Sequence, residues 1–151
     1  MNALKTFCAL ALAATILALS AFAAEEPEPT PAPAVVLDAG PAMKVADGWL
    51  SYIDSGRYAE SWDDSAAYFR DAVPKAQWET TLAQVRGPLG IAIARKVRSA
   101  TYTRLIPGAP EGEYVVIQYD TRFENRPQSV ETVTPMREKD GTWKVAGYHI
   151  R

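Results

Sequence analysis

The sequence predicts an α+β domain in which three N-terminal helices pack on one face of a curved four-stranded antiparallel meander. Two observations carry this prediction. Apolar residues recur at helical spacing between residues 41 and 86, and the pattern changes to alternation after residue 95. Helices followed by strands on short loops are typical of a sheet with helices segregated to one face. The domain is expected to occupy residues 39–151.

Each predicted helix has its own start or stop signal. Pro41 suits a first helical position, and Gly56 can end that helix in the left-handed conformation. A second helix is expected over residues 58–69, and a third between Pro74 and Gly87. The apolar stripes of these helices comprise Met43, Ala46, Trp49, Leu50 and Ile53, then Tyr58, Trp62, Ala66 and Phe69, then Trp78, Leu82 and Val85. One face of every helix is therefore expected in the core.

The second half of the chain has the two-residue period of strands. Strands are predicted over residues 95–105, 113–123, 129–137 and 142–150. The second alternates most clearly, with Ile117 and Tyr119 on one parity and Asp120 on the other. Asp140-Gly141 is a strong hairpin signal before the last strand. Short connections of this kind favour a meander.

The first 23 residues predict a secretory signal peptide. An uncharged apolar stretch is followed by Ala21-Phe22-Ala23, a cleavage pattern that places the mature start at Ala24. The stretch is shorter than the roughly 20 apolar residues that a membrane span needs, so none is expected in the mature form. Residues 24–38 are acidic and rich in proline, as in an extended linker. We therefore expect a periplasmic or secreted protein.

Composition argues against several classes of function. Cys8 is the only cysteine and lies inside the signal peptide, so the mature protein is expected to have no disulfide. With His149 as the only histidine, no metal site is expected, and no cofactor motif is present. The formal net charge is −2 and the charges are interspersed, so no nucleic-acid partner is expected.

Several segments in a fixed order resemble one bacterial family. They are Trp49-Leu50, Asp54 to Tyr58, Ser61-Trp62, Gln77-Trp78, Arg86 to Gly90 with Arg95, Leu105 to Tyr114, Glu131 to Thr134 and Asp140 to Tyr148. Over about residues 42–151 the chain looks like the exported family called domain of unknown function 4019. That resemblance implies no established activity. His149 stands where a second aromatic residue is expected, so no family role is carried onto it.

The order of elements is also similar to the cystatin-like and nuclear-transport-factor-like (NTF2-like) folds. In those folds a curved sheet wraps a helix and leaves a conical pocket. The similarity implies a place for a ligand between helices and sheet, although a fold does not determine a function.

Seven residues are candidates for a ligand-binding site: Trp49, Trp62, Arg86, Arg95, Tyr119, Glu131 and His149. Glu131 shares the inward parity of Val133, so its carboxylate needs a partner, and Arg86 or Arg95 can supply one. Such a pair is either structural, or its arginine clamps a carboxylate or phosphate at a pocket rim. The tryptophans are either core residues or stacking platforms at a pocket mouth. His149 is expected on the parity of Trp143 and Val145.

Three functions remain open. The leading hypothesis is a non-catalytic envelope module that binds a small ligand or a protein partner through the helix–sheet pocket or the sheet face. The alternative is a small isomerase- or dehydratase-like enzyme in the same pocket. Its acid and base would be drawn from Asp54, Tyr119, Glu131 and His149. The third is a structural protein that associates through an exposed sheet face or the proline-rich arm.

Overall fold

The computed structural model describes residues 39–151, and the predicted signal peptide and the whole of the predicted linker lie outside this range. Four helices come first: α1 (Gly40–Asp54), α2 (Tyr58–Asp63), α3 (Ala67–Ala72) and α4 (Lys75–Arg86), the last followed by a 3₁₀ turn at Gly87–Leu89. Four strands follow: β1 (Ala92–Thr103), β2 (Tyr114–Phe123), β3 (Ser129–Arg137) and β4 (Trp143–Ile150). They form one antiparallel sheet in the order β1-β2-β3-β4, which confirms the α+β fold class.

The segment predicted as one helix over residues 58–69 is two short helices, so the domain has four α-helices and not three. Between α2 and α3, Ser65 forms a parallel bridge with Val145 of β4. The amide of Ala66 donates to the carbonyl of Val145 over 2.8 Å. Pairing with the sheet satisfies backbone groups that a continuous helix would have bonded internally, and therefore divides the helix.

The core is formed by one face of α1 and the inward residues of the sheet; the predicted stripe of α1 is buried except Met43, which is partly buried, and Ala42 joins it. From α1 come Ala42, Ala46, Trp49, Leu50 and Ile53, and from the strands come Val115, Ile117, Tyr119, Val133 and Val145. In α4 the buried residues are Trp78, Leu82 and Arg86, whereas Val85 is 43% exposed. Val85 was expected in the core. That expectation was wrong because the buried side chains of α4 recur every four residues, at Trp78, Leu82 and Arg86, and Val85 lies outside this row.

The helices cover the sheet unevenly. Helix α1 packs mainly against β3 and β4, and α3 packs against β4. Strand β1 is consequently the least covered, and most of its residues are exposed. The other face of the sheet carries Lys96, Asp120 and Val130 in adjacent register positions, with Arg151 beyond them. Within residues 39–151, no helix has the length and apolarity to cross a membrane.

A tight turn joins α4 to β1 and brings two arginines to one place. Gly90 has a φ of +73°, which favours glycine, and a Cβ there would lie 2.7 Å from the Glu124 Oε2 atom. The close approach allows the Asn125 amide to donate to the Leu89 carbonyl over 3.0 Å. The turn thereby places Arg86 and Arg95, which flank it, beside the same strands.

Candidate functional site

Glu131 lies at the centre of a buried charge network. Its side chain on β3 is fully buried. Its Oε2 atom accepts hydrogen bonds from Arg95 Nε over 2.7 Å and from Thr121 Oγ1 over 2.6 Å. Its Oε1 atom accepts from the Tyr148 hydroxyl. A carboxylate without access to water needs such partners, so the expected pairing of Glu131 with an arginine is confirmed.

Asp54, at the end of α1, completes the network by joining the two arginines. Its carboxylate binds Arg95 bidentately, with N–O distances of 2.8 and 3.0 Å, and accepts from Arg86 Nη2 over 2.8 Å. The four charges of Asp54, Arg86, Arg95 and Glu131 therefore balance formally. With Thr121 and Tyr148, they connect α1, α4 and all four strands. We call these six residues the charge network.

Arg86 is held in this network by an aromatic face as well as by charge. Its guanidinium carbon lies 4.4 Å from the centroid of the Phe123 ring. Its Nη1 atom is 3.7 Å from Glu131 Oε1, and both Nη1 and Nε lack a hydrogen-bond partner within residues 39–151. Only 4% of the side chain is exposed, so a ligand from solvent does not reach these donors without rearrangement.

The pKa values of the neighbouring groups follow from burial and charge. Burial alone would lower the pKa of Arg95, but its hydrogen bonds to Asp54 and Glu131 outweigh this and raise it above its ordinary value. Burial raises the pKa of Tyr148 well above its ordinary value, and the negative charge of Glu131 raises it further. The network therefore holds a cationic Arg95 and a protonated Tyr148 over the ordinary pH range.

Tyr119 lies beside the network. It stands opposite Glu131 in the β2–β3 register, and its hydroxyl donates to Asp47 Oδ1 over 2.9 Å. Burial raises the pKa of Tyr119, and the bond to Asp47 adds to the effect. A niche of about 360 Å³ adjoins it, lined by Asp47, Leu50, Arg95, Val97 and Tyr119. Four of the seven candidates, Arg86, Arg95, Tyr119 and Glu131, are thus brought to one region.

The two candidate tryptophans lie in the helical layer. Trp49 is fully buried, and its indole donates to the Ser61 carbonyl over 2.8 Å. Its ring packs against Trp78 and Tyr148, at centroid distances of 6.0 and 5.4 Å. Trp62 is partly buried and donates to the Val73 carbonyl over 2.7 Å. Trp49 is therefore a core residue, and Trp62 lies at the margin of the core.

His149 was expected on the same face of the sheet as Trp143 and Val145. That expectation was wrong because β4 contains a bulge. Val133 pairs with Tyr148 but Pro135 pairs with Val145, so β4 has one extra residue in this interval. The extra residue turns Tyr148 inward, into the charge network, and turns His149 outward to an exposed position opposite Thr132. Gly147, a glycine inside a strand, was the available signal of a bulge. Of the four residues from which an acid and a base were to be drawn, Asp54, Tyr119 and Glu131 lie in one region, whereas His149 lies on the other face of the sheet.

A basic groove on the outer face of the sheet was missed at the level of sequence. It has a volume of about 630 Å³ and runs along β1, β2 and the β2–β3 loop. Its exposed cationic side chains are Lys96, Arg98, Arg122, Arg126 and Arg151. Among the described residues that line it, Asp120 is the one acidic side chain, 2.7 Å from Arg98 Nη2. The cations are far apart in sequence, and only the strand register brings them together.

Metal ligation has no support in the described part of the chain. Residues 39–151 contain no cluster of three or more His, Cys, Asp or Glu side chains that could hold a metal ion. The carboxylates of the network are already bound by arginines, tyrosine and threonine.

Fold and site together define a small α+β domain with helices on one sheet face and a basic groove on the other. The sequence matches the model of the family described as "Protein of unknown function (DUF4019)" over residues 45–148, and the chain belongs to that family. The resemblance expected from the sequence is thus confirmed. No curated protein matches the chain.

Proposed function

We propose that this domain is a non-catalytic module of the cell envelope that binds an anionic partner through the basic groove. The imbalance of side-chain charge along the groove carries the proposal, because five cationic side chains face one acidic side chain. Lys96, Arg122 and Arg126 form no ion pair with another residue of the range 39–151. Clustered charge of one sign in a concave surface concentrates ions of the opposite sign.

The helix–sheet interior is the less suitable place for a ligand. Side chains of the core occupy the space between α1 and the sheet. Arg95 and Glu131, predicted as ligand-binding residues, have their charges neutralised within the charge network. In this proposal Arg86, Arg95 and Glu131 are positioning residues. They hold together β1, β2 and β3, which carry the groove, and Arg95 also lies at its margin.

A small isomerase- or dehydratase-like enzyme is the second candidate, favoured by the Tyr119–Asp47 contact. The Tyr119 hydroxyl is protonated and so has a proton to donate, and Asp47 is an exposed carboxylate beside it. Both line the niche that Arg95 also lines. This candidate requires that Tyr119→Phe abolish turnover of a substrate while anion binding in the groove is unchanged.

Export is part of the proposal, because the sequence of residues 1–23 has the composition of a signal peptide. Mass spectrometry of the protein recovered from the envelope or medium should give a mature chain that begins at Ala24. An intact Met1 terminus, or a lipid on Cys8, would contradict export by this route.

Binding to the groove is tested with a fluorescein-labelled oligoglutamate and fluorescence anisotropy at low and high salt. Lys96→Glu and Arg122→Glu should each weaken binding about tenfold at low salt, and high salt should weaken binding to the wild type. Lys44→Glu is the matched control, since Lys44 is an exposed cation on α1, away from the groove. Equal losses in all three variants would refute the groove as the site.

A further inference from the structure

The two edges of the sheet differ in how they are covered. At the β4 edge, Ser65 and Ala66 pair with Val145. At the other edge, β1 pairs with β2 only, within residues 39–151. A long open strand presents unpaired backbone donors and acceptors to solvent, and such an edge is a template for a further strand.

The β1 edge also carries the main concentration of exposed large apolar side chains in the described chain. Residues 39–151 contain five such side chains, and three of them fall within seven residues at this edge: Ile91 is 67% exposed, Ile93 50% and Val97 40%. Scattered single residues of this kind need no explanation, but a cluster beside an open edge is typical of an interaction site.

The surroundings of β1 differ in chemistry on its two sides. On the helix side, Val97 opens onto the niche that Leu50 and Tyr119 also line. On the outer side, Lys96 and Arg98 form one wall of the basic groove. Successive side chains of an extended segment point to opposite sides. A segment paired with β1 would thus place alternate residues against Val97 and Leu50 in the niche, beside the polar groups of Asp47, Arg95 and Tyr119, and against a cationic wall.

We propose that the β1 edge accepts an extended acidic segment of a partner protein as a fifth strand. The segment would alternate apolar residues, facing the niche, with carboxylates, facing Lys96 and Arg98. This proposal rests on the proposed function, because it specifies the anionic partner of the basic groove as a peptide strand.

Charge argues against a second copy of this chain as the occupant. Strand β1 contains Arg95, Lys96 and Arg98 and no carboxylate. Two β1 strands paired with each other would bring like charges close together, which is destabilising. The same cations attract an acidic strand, so they select the partner as well as protecting the edge from self-association.

The test uses a labelled synthetic peptide of alternating glutamate and valine, together with the same peptide N-methylated on alternate backbone amides. Fluorescence anisotropy should show that N-methylation weakens binding to the wild-type protein at least about tenfold, since strand pairing needs the amides. Hydrogen exchange should show slowed exchange of the β1 amides when the unmethylated peptide is bound. Both readouts use the unmodified protein, so they do not depend on how a variant folds.

A pair of variants with matched exposure locates the apolar contact. Val97→Glu should weaken binding of the glutamate–valine peptide at least about tenfold. Val85→Glu should leave it unchanged, since Val85 on α4 is 43% exposed, close to the 40% of Val97. Equal effects of the two substitutions would overturn the proposal.

The remaining outcomes separate this proposal from the function on which it rests. If both peptides bind equally and the β1 amides exchange freely while Lys96→Glu still weakens binding, strand addition is overturned and the groove stands. If no acidic peptide binds, both proposals are overturned. If sedimentation shows a dimer and the β1 amides exchange slowly without peptide, the occupant is a second copy and the proposal is overturned.

Discussion

Replacement of Glu131 by glutamine should be the most destabilising isosteric change in the charge network. The side chain is fully buried, so solvent does not screen its loss of charge. The amide oxygen is expected to face Arg95, which cannot accept a hydrogen bond, and the amide nitrogen to face the Tyr148 hydroxyl, which can. A net buried positive charge would remain on the two arginines. Removal of one partner from such a network costs about 3–5 kcal/mol of unfolding free energy.

Urea and thermal unfolding of Glu131→Gln, with Arg95→Met, Arg86→Met and the two double variants, would measure this loss. The expected loss for Glu131→Gln corresponds to a melting temperature lower by roughly 10–20 °C. The coupling of Glu131 with Arg95 should exceed that with Arg86. Arg95 Nε bonds the carboxylate over 2.7 Å, whereas Arg86 Nη1 stands 3.7 Å away without a hydrogen bond.

The competing hypothesis, in which the arginines clamp a ligand, predicts a different pattern. Arg86→Met and Arg95→Met would then be tolerated or stabilising, and anion binding would fall. Coupling energies below about 0.5 kcal/mol for both Glu131–Arg95 and Glu131–Arg86 would refute the structural network, because the stability effects of substitutions at independent sites add to within that margin.

Three further predictions test the surroundings of the network. Because burial raises the pKa of Tyr148, the folded chain keeps a proton that the unfolded chain loses above about pH 10. The unfolding free energy should therefore fall as the pH rises past this value, and it should fall less steeply in Tyr148→Phe. Equal slopes of unfolding free energy against pH in the two proteins would contradict a raised pKa of Tyr148 in the folded chain. Gly90→Ala should cost more than about 1 kcal/mol in urea unfolding, since φ is +73° and Glu124 blocks the Cβ, whereas Gly48→Ala in open space should not destabilise. Trp49→Ala should cost about 3–5 kcal/mol and the less buried Trp62 less, and a reversed order would be inconsistent with their burial.

The elements that depend on local pattern could be predicted from the sequence. The third strand was predicted over residues 129–137, and β3 spans Ser129–Arg137. Four of the five residues of the α1 stripe and the alternation of β2 were also right, because burial follows the 3.6- and two-residue periods. The inward parity of Glu131 followed from the same period. Local chemistry at Asp140-Gly141 likewise indicated the last turn, where Gly141 has a φ of +87°.

Other features depend on contacts between residues that are distant in the chain. Val145 interrupts the helix predicted over residues 58–69 by pairing with Ser65, 80 positions earlier. A single extra residue in β4 exchanges the faces of Tyr148 and His149, because a shift of one residue reverses the side of every following side chain.

The sequence by itself determined the class of fold, its family and the need of Glu131 for a buried partner. The tertiary structure decided which arginines meet that carboxylate, which edge of the sheet stays open, and that dispersed cations converge in one groove. The physical reason is the distance along the chain over which each effect acts. Periodicity and turn chemistry act over a few residues, whereas strand register and charge clustering arise only when distant segments pack together.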